Sequence, residues 1–129
     1  MNWVDRYFFL KTLSPFHRLP EGELAHLAHQ FTWREWAPQT VVRHKGEILL
    51  HLHVIASGSL IEEGGSALPV IFGPSSLIEG RELPNNIRTG DDPVQVLLMS
   101  KRNVLTMTAQ LPELFLDYLQ ECDPEDLRL

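Results

Sequence analysis

From Phe31 to Ser100 the chain is interrupted by turn-forming residues too often for a long helix to develop. The breaks fall at Ala37-Pro38-Gln39, Lys45-Gly46-Glu47, Ser57-Gly58, Gly64-Gly65, Gly73-Pro74-Ser75-Ser76 and Gly90-Asp91-Asp92-Pro93. Each supplies a residue that fixes φ, tolerates positive φ or bonds its own backbone. The apolar and aromatic runs between them read as strands: Phe31 to Trp36, Thr40 to Arg43, Leu52 to Ala56, Ser59 to Glu62, Leu68 to Phe72, Ile87 to Thr89 and Val94 to Met99. In the last, Val94, Val96 and Leu98 share one face by the two-residue period. Short strands in this number, joined by turns, close most readily into a roll or barrel.

Helical spacing flanks this region. Trp3, Val4, Tyr7, Phe8 and the stem of Lys11 form a stripe over residues 2 to 12, which Ser14-Pro15 ends. Pro20 suits the first position of a second helix, whose stripe is Leu24, Leu27, Ala28 and Phe31, with His26 and His29 off it on a solvated face. Ser100 is a good N-cap for a helix from Lys101 to Gln110, with Val104, Leu105, Thr108 and Leu111 on one side. Pro112 starts a last helix carrying Leu114, Phe115, Tyr118 and Leu119, which Asp123-Pro124 stops. The expected organisation is one domain over 1–129: helical to residue 30, a β-roll over 31–100, and C-terminal helices over 101–122.

Composition narrows the function. The 129 residues suffice for one core, and the formal net charge of -6 repels a nucleic-acid backbone. The single cysteine, Cys122, cannot form an internal disulfide, which suits a reducing compartment. No apolar run is long enough for a membrane span, and the N-terminus does not read as a secretory signal. The expectation is a cytoplasmic protein with no cofactor, no nucleic-acid partner and no membrane association.

Four stretches resemble the cyclic-nucleotide-binding domain family, which includes the catabolite activator protein, protein kinase A regulatory subunits and gated ion channels. Leu13-Ser14-Pro15-Phe16-His17-Arg18-Leu19-Pro20, followed by Leu24 and Leu27, is similar to the family's opening motif. Trp36-Ala37-Pro38-Gln39-Thr40-Val41-Val42 with Lys45-Gly46-Glu47 is similar to its first turn and hairpin, except that Gln39 replaces a glycine, so that turn is expected to be built differently. The most specific piece, Leu52-His53-Val54-Ile55-Ala56-Ser57-Gly58-Ser59-Leu60, is similar to "L-Y-x-I-x-x-G-x-V". Val96 to Ser100, then Leu111-Pro112-Glu113-Leu114, is similar to the closing strand and helices. The resemblance covers roughly residues 10 to 121. It implies a mainly β fold with flanking helices, a double-stranded β-helix or jelly-roll-like β-roll.

The family also implies a phosphate-binding cassette, "F-G-E-(L/I)-x-L … R-(S/T/A)-A". In it backbone N–H groups and an arginine hold the cyclic phosphate, and a glutamate accepts from the ribose. Here Phe72, Gly73 and Leu77 match, and Ser75 and Ser76 lie between them. Pro74 stands at the glutamate position, with neither a carboxylate nor an N–H. Pro84 or Asn85 stands at the arginine position, and Asn86 follows. Arg81 and Arg88 are near enough in sequence to reach a phosphate by another route.

Other constellations carry less. His51 and His53 share a strand face and make half of a cupin-type metal motif, but Ser57-Gly58 stands where its glutamate belongs. His26 and His29 lack a third ligand at useful spacing. Ser75-Ser76 shows no nucleophile-elbow pattern. Glu62-Glu63 reads as a solvated hairpin end, Asp91-Asp92 as a turn start, and Trp33 and Trp36 as core or rim packing. The sequence therefore reads as a non-catalytic regulatory or protein-interaction module on a cyclic-nucleotide-binding-like fold, acting on a protein partner or a small-molecule effector and compatible with a homodimer. The alternatives are a sensor binding a cyclic nucleotide or other small anion through Arg81 or Arg88, and a cupin-like metalloprotein. No basic recognition helix is visible, so gel-shift titration at low salt should show no complex with double-stranded DNA. A sequence-specific shift overturns this reading.

Overall fold

A computed structural model describes residues 2–13, 16–65, 67–73, 77 and 79–110. The helix expected after Pro112, with Leu114, Phe115, Tyr118, Leu119 and Cys122, lies outside the described residues, as do Pro74, Ser75 and Ser76.

Helix α1 (Trp3–Lys11) starts at Asn2, whose side chain accepts from the Asp5 N–H at 2.9 Å. A single 3-10 turn, Phe16–Arg18, leads to α2 (Glu21–Gln30). Pro20 is the N-cap of α2 rather than its first helical residue; it has no side chain to cap with, and the early acids Glu21 and Glu23 complement the helix dipole. The stripe of α2 is as expected, with Leu24, Leu27 and Ala28 buried. That of α1 is not. Leu10 is its buried residue, with Tyr7 and Phe9 packed against the core, whereas Trp3, Val4 and Phe8 are exposed. The Arg6 Nε–H donates to the Ala28 carbonyl at 3.0 Å, and this fixes which side of α1 faces α2.

Seven strands follow among the described residues: β1 (Thr32–Trp36), β2 (Val41–Arg43), β3 (His51–Ser57), β4 (Leu60–Glu62), β5 (Ile71–Phe72), β6 (Ile87–Thr89) and β7 (Val94–Ser100). They make two antiparallel sheets, ordered β1-β7-β3-β5 and β2-β6-β4. The strand expected over Leu68 to Phe72 is paired as a strand only at Ile71–Phe72; Leu68 instead donates its N–H to the Leu60 carbonyl, closing a turn. Helix α3 (Lys101–Gln110) continues directly from β7, and the Ser100 hydroxyl caps it by accepting from the Asn103 N–H at 3.2 Å.

Strands β3 and β7 are buried on both faces. By register Thr32, Arg34 and Trp36 lie across from Leu98, Val96 and Val94, and Leu98 and Val96 lie across from His53 and Ile55. Leu52, Val54, Leu97 and Met99 occupy the opposite face. Val94, Val96 and Leu98 thus share a face as expected, but that face is not the only buried one.

Two turns bear on the topology. Gln39 keeps a left-handed φ of 54° where the family has glycine. Its N–H donates to the Gly90 carbonyl at 2.9 Å and its side chain donates to Asp91 Oδ1 at 2.6 Å. The turn is therefore built in the same backbone conformation, with hydrogen bonds offsetting the steric cost, and Asp91 anchors it. Gly58 has φ 80°, and a Cβ there would sit 2.5 Å from the Pro93 carbonyl oxygen. Gly46 has φ 89° with nothing near. Gly46→Ala should cost the left-handed penalty alone, about 1–2 kcal/mol, and Gly58→Ala about 3 kcal/mol or more, because the Pro93 backbone must also move. Urea unfolding of the two variants measures the difference; equal losses would show that the Gly58–Pro93 contact is easily relaxed.

Candidate functional site

The segment matching the cassette begins at β5, where Phe72 pairs with His53 and is buried. Gly73 has φ 91°, a backbone conformation that favours glycine, and a Cβ there would also meet Leu49 Cδ1 at 2.7 Å. Leu77 is fully buried and donates its N–H to the Gly73 carbonyl at 2.9 Å. The three residues that match the family are thus the ones that seat the segment on the core.

The chain then runs back along the 44–48 turn. Gly46 donates to the Leu83 carbonyl at 2.9 Å, Leu83 donates to the Glu47 carbonyl at 2.8 Å, and Ile48 bridges to Glu82. This brings the Pro84-Asn85-Asn86 turn against the end of β4. The Asn85 side-chain amide donates to Glu62 Oε1 at 3.2 Å, and that of Asn86 donates to Glu63 Oε2 at 3.1 Å. Asn86 Oδ1 accepts from the Lys45 N–H at 2.6 Å, and its carbonyl accepts from the Glu63 N–H at 3.0 Å. Glu62 and Glu63 are consequently half-buried clamps rather than a solvated hairpin end. At the arginine position stands Pro84, which is exposed and has no donor, or Asn85, whose amide already donates to Glu62.

Arg81 Nε lies 2.8 Å from Glu79 Oε2 in an ion pair. Arg88 sits in β6 between Val41 and Ile61, half-buried, and its Nη1 donates to the Thr89 carbonyl at 3.2 Å. Each is already held by its own chain, Arg81 by a carboxylate.

His51 and His53 share one sheet face, but their surroundings differ. His51 is half-buried. His53 is fully buried between the Trp36 ring, 6.2 Å away, and the Phe72 ring, 5.6 Å away edge-on. Its Nδ1–H donates to the His51 carbonyl at 3.0 Å, because only a protonated ring nitrogen can bond a carbonyl oxygen. Its Nε2 is buried without a hydrogen-bond partner among the described residues. Burial, with Arg43 nearby, pushes its pKa down to about 3. Among the described residues no three His, Cys, Asp or Glu side chains gather where they could hold a metal ion. His26 and His29 are exposed; His26 bonds Gln30, and His29 stacks on Trp3 at 4.6 Å. Trp33 and Trp36 are half-buried and pack against the core.

Two features escaped the sequence reading. Thr89 is fully buried, and its hydroxyl accepts from the Thr40 N–H at 2.9 Å while donating to the Ala37 carbonyl at 2.7 Å, so β6 carries the first turn. A cleft also opens where Arg34, Trp36, Arg43 and His51 meet. The shared parity of Thr32, Arg34 and Trp36 in β1 was the available signal, but the approach of β2 is a matter of tertiary structure.

No protein-family model matches the sequence, and no curated protein matches it. Solved structures do match. The chain is similar to the regulatory domain of Toxoplasma gondii PKA in complex with cAMP (TM-score 0.70, 15% identity, 92% of this chain and 48% of that one). It is similar to the Thermus thermophilus catabolite activator protein (TM-score 0.65, 21% identity, 81% and 54%) and to a cAMP-binding acyltransferase from Mycobacterium smegmatis (TM-score 0.66, 21% identity, 88% and 38%). The chain spans about half or less of the length of these proteins. At these identities the likeness shows the fold, which is the β-roll of cyclic-nucleotide-binding domains with flanking helices. Among the described residues no helix is long and apolar enough to cross a membrane.

Because His53 binds its proton more weakly folded than unfolded, the unfolded chain takes up the extra proton as pH falls below about 6.5. Stability is full above that pH and is lost progressively towards about 3, by up to about 2 kcal/mol between pH 7 and pH 5. His53→Phe, set between Trp36 and Phe72, should flatten this loss in urea titrations at the two pH values. An unchanged slope would place the acid sensitivity elsewhere.

Proposed function

We propose that this chain, with the fold of cyclic-nucleotide-binding domains, is a non-catalytic regulatory or protein-interaction module whose phosphate-binding segment is occupied by its own side chains and not by cAMP or cGMP. The clamp of Asn85 and Asn86 on Glu62 and Glu63 carries this reading. Where the family resemblance asks for a guanidinium, the chain presents Pro84 and two amides, each already donating to a carboxylate. An incoming phosphate would have to displace these bonds and would meet the two acids behind them. Arg81 is paired with Glu79, so recruiting it would also cost an ion pair. The module would act in the cytoplasm on a protein partner or a small-molecule effector.

Magnitudes favour an empty pocket. Losing one side of a buried charge-assisted contact to phosphate costs about 2–5 kcal/mol, roughly 30- to several-thousand-fold in affinity. The lost carboxylate at Pro74 adds to this by leaving a ribose hydroxyl without an acceptor. Calorimetry with cAMP and cGMP at millimolar concentration should give no saturable binding. Low-micromolar binding abolished by Arg81→Ala or Arg88→Ala would overturn the proposal in favour of a relocated phosphate clamp.

A further inference from the structure

A cleft of about 370 Å³ lies beside the four-stranded sheet, lined by Thr32, Arg34 and Trp36 of β1, Arg43 of β2, His51 of β3 and Leu98 of β7, with Glu47, Ile48 and Leu50 at its side. It contains no residue of the 72–88 segment. Three groups that are or can become cationic reach it from three strands, in a chain whose net charge is -6. Such an arrangement is unfavourable unless something negative is shared among them.

Arg34 is exposed and makes no ion pair or hydrogen bond among the described residues. Arg43 is half-buried; its guanidinium lies 5.3 Å from the centre of the Trp36 ring, which holds it in place, and its Nη1 donates to the Val42 carbonyl at 2.9 Å. Burial lowers its pKa, with Glu47 attracting its charge and Arg34 repelling it. His51 is likewise lowered by burial and then by Arg43 and Arg34. The one carboxylate lining the cleft, Glu47, attracts Arg43 but is hydrogen-bonded to His44: its Oε1 accepts from the His44 N–H at 2.8 Å and from His44 Nδ1 at 2.9 Å. The cations therefore outnumber their local counter-charge. Ile48 and Leu50, both well exposed, provide apolar surface beside them.

We propose that this cleft binds a small phosphate monoester with an aromatic or apolar substituent, its phosphate held by Arg34, Arg43 and His51 and its substituent resting on Trp36, Ile48 and Leu50. The volume is that of a small-molecule site, and concave apolar walls with a few convergent polar groups are the usual form of one. Planar guanidinium forks suit a phosphate better than an ammonium would. The groups that face His51 are Arg34 from β1, Arg43 from β2, Glu47 from the following turn and His53 from its own strand. A bound dianion reverses the net repulsion at His51, so binding draws a proton onto its ring.

Phenyl phosphate and inorganic phosphate are the probes, titrated calorimetrically at low ionic strength. Phenyl phosphate should bind saturably and more tightly than inorganic phosphate. Arg34→Gln and Arg43→Gln should each weaken it by about 10- to 100-fold, the range for a hydrogen bond to a charged group. Arg102→Gln removes the same charge from α3 and should change nothing. Arg34 is exposed, so its variant keeps the test valid even if Arg43→Gln unfolds. At pH 6, where the ester's own second ionisation also exchanges protons, heats measured in buffers of different ionisation enthalpy should show more net proton uptake by the unmodified protein than by His51→Gln. No saturable binding, equal affinity for the two probes, or equal losses in Arg34→Gln and Arg102→Gln would each overturn the proposal. The cleft shares no lining residue with the 72–88 segment, so failure here leaves the reading of an emptied nucleotide pocket untouched.

Discussion

The pairing of β3 with β7 organises the molecule. These two strands lie side by side at the centre of the four-stranded sheet, buried on both faces and in register from His51↔Ser100 to Val54↔Leu97 and Ile55↔Val96. Everything from Gly58 to Pro93 is an excursion that must leave β3 and return to β7 at one point. Gly58 makes that point possible, since its missing Cβ lets the Pro93 carbonyl approach. Strands β4 and β6 and the 72–88 segment lie on this closed excursion, and β2 and the 44–48 turn bond to it. At the other end of the pair, the Leu50 carbonyl accepts from the Lys101 N–H at 3.0 Å, so the same ladder starts α3.

Much of this was legible in the chain because turn chemistry is local. Glycines at Gly46 and Gly58, the Ser100 cap and the alternating run of β7 each act over a few residues, and their elements stand where the spacing puts them. What was not legible depends on the partner element. The stripe of α1 turns inward at Leu10 because the Arg6 guanidinium finds the Ala28 carbonyl, twenty-two residues on. Leu68 leaves the ladder because Leu60 offers it a carbonyl. Gln39 reproduces a glycine turn because Asp91 and Gly90, distant in sequence, supply its bonds.

The candidate site divides along the same line. The loss of a carboxylate at Pro74 and of a guanidinium near Pro84 could be read residue by residue. What takes their place could not. Glu62 and Glu63 look like ordinary hairpin acids until the 84–86 turn is brought across them, and Arg34, Arg43 and His51 are separate in the chain until three strands converge. Charge placement in this protein is set by topology more than by composition.

The Asn85 and Asn86 clamp has one more implication. In a receptor, the work of ordering a loop around its ligand is what converts concentration into information. Here that work is done by covalently attached amides, whose effective concentration never changes. Under the proposed reading, the domain reports nothing through occupancy of that pocket. Any effector would have to be sensed at another surface, such as the cleft of Arg34, Arg43 and His51.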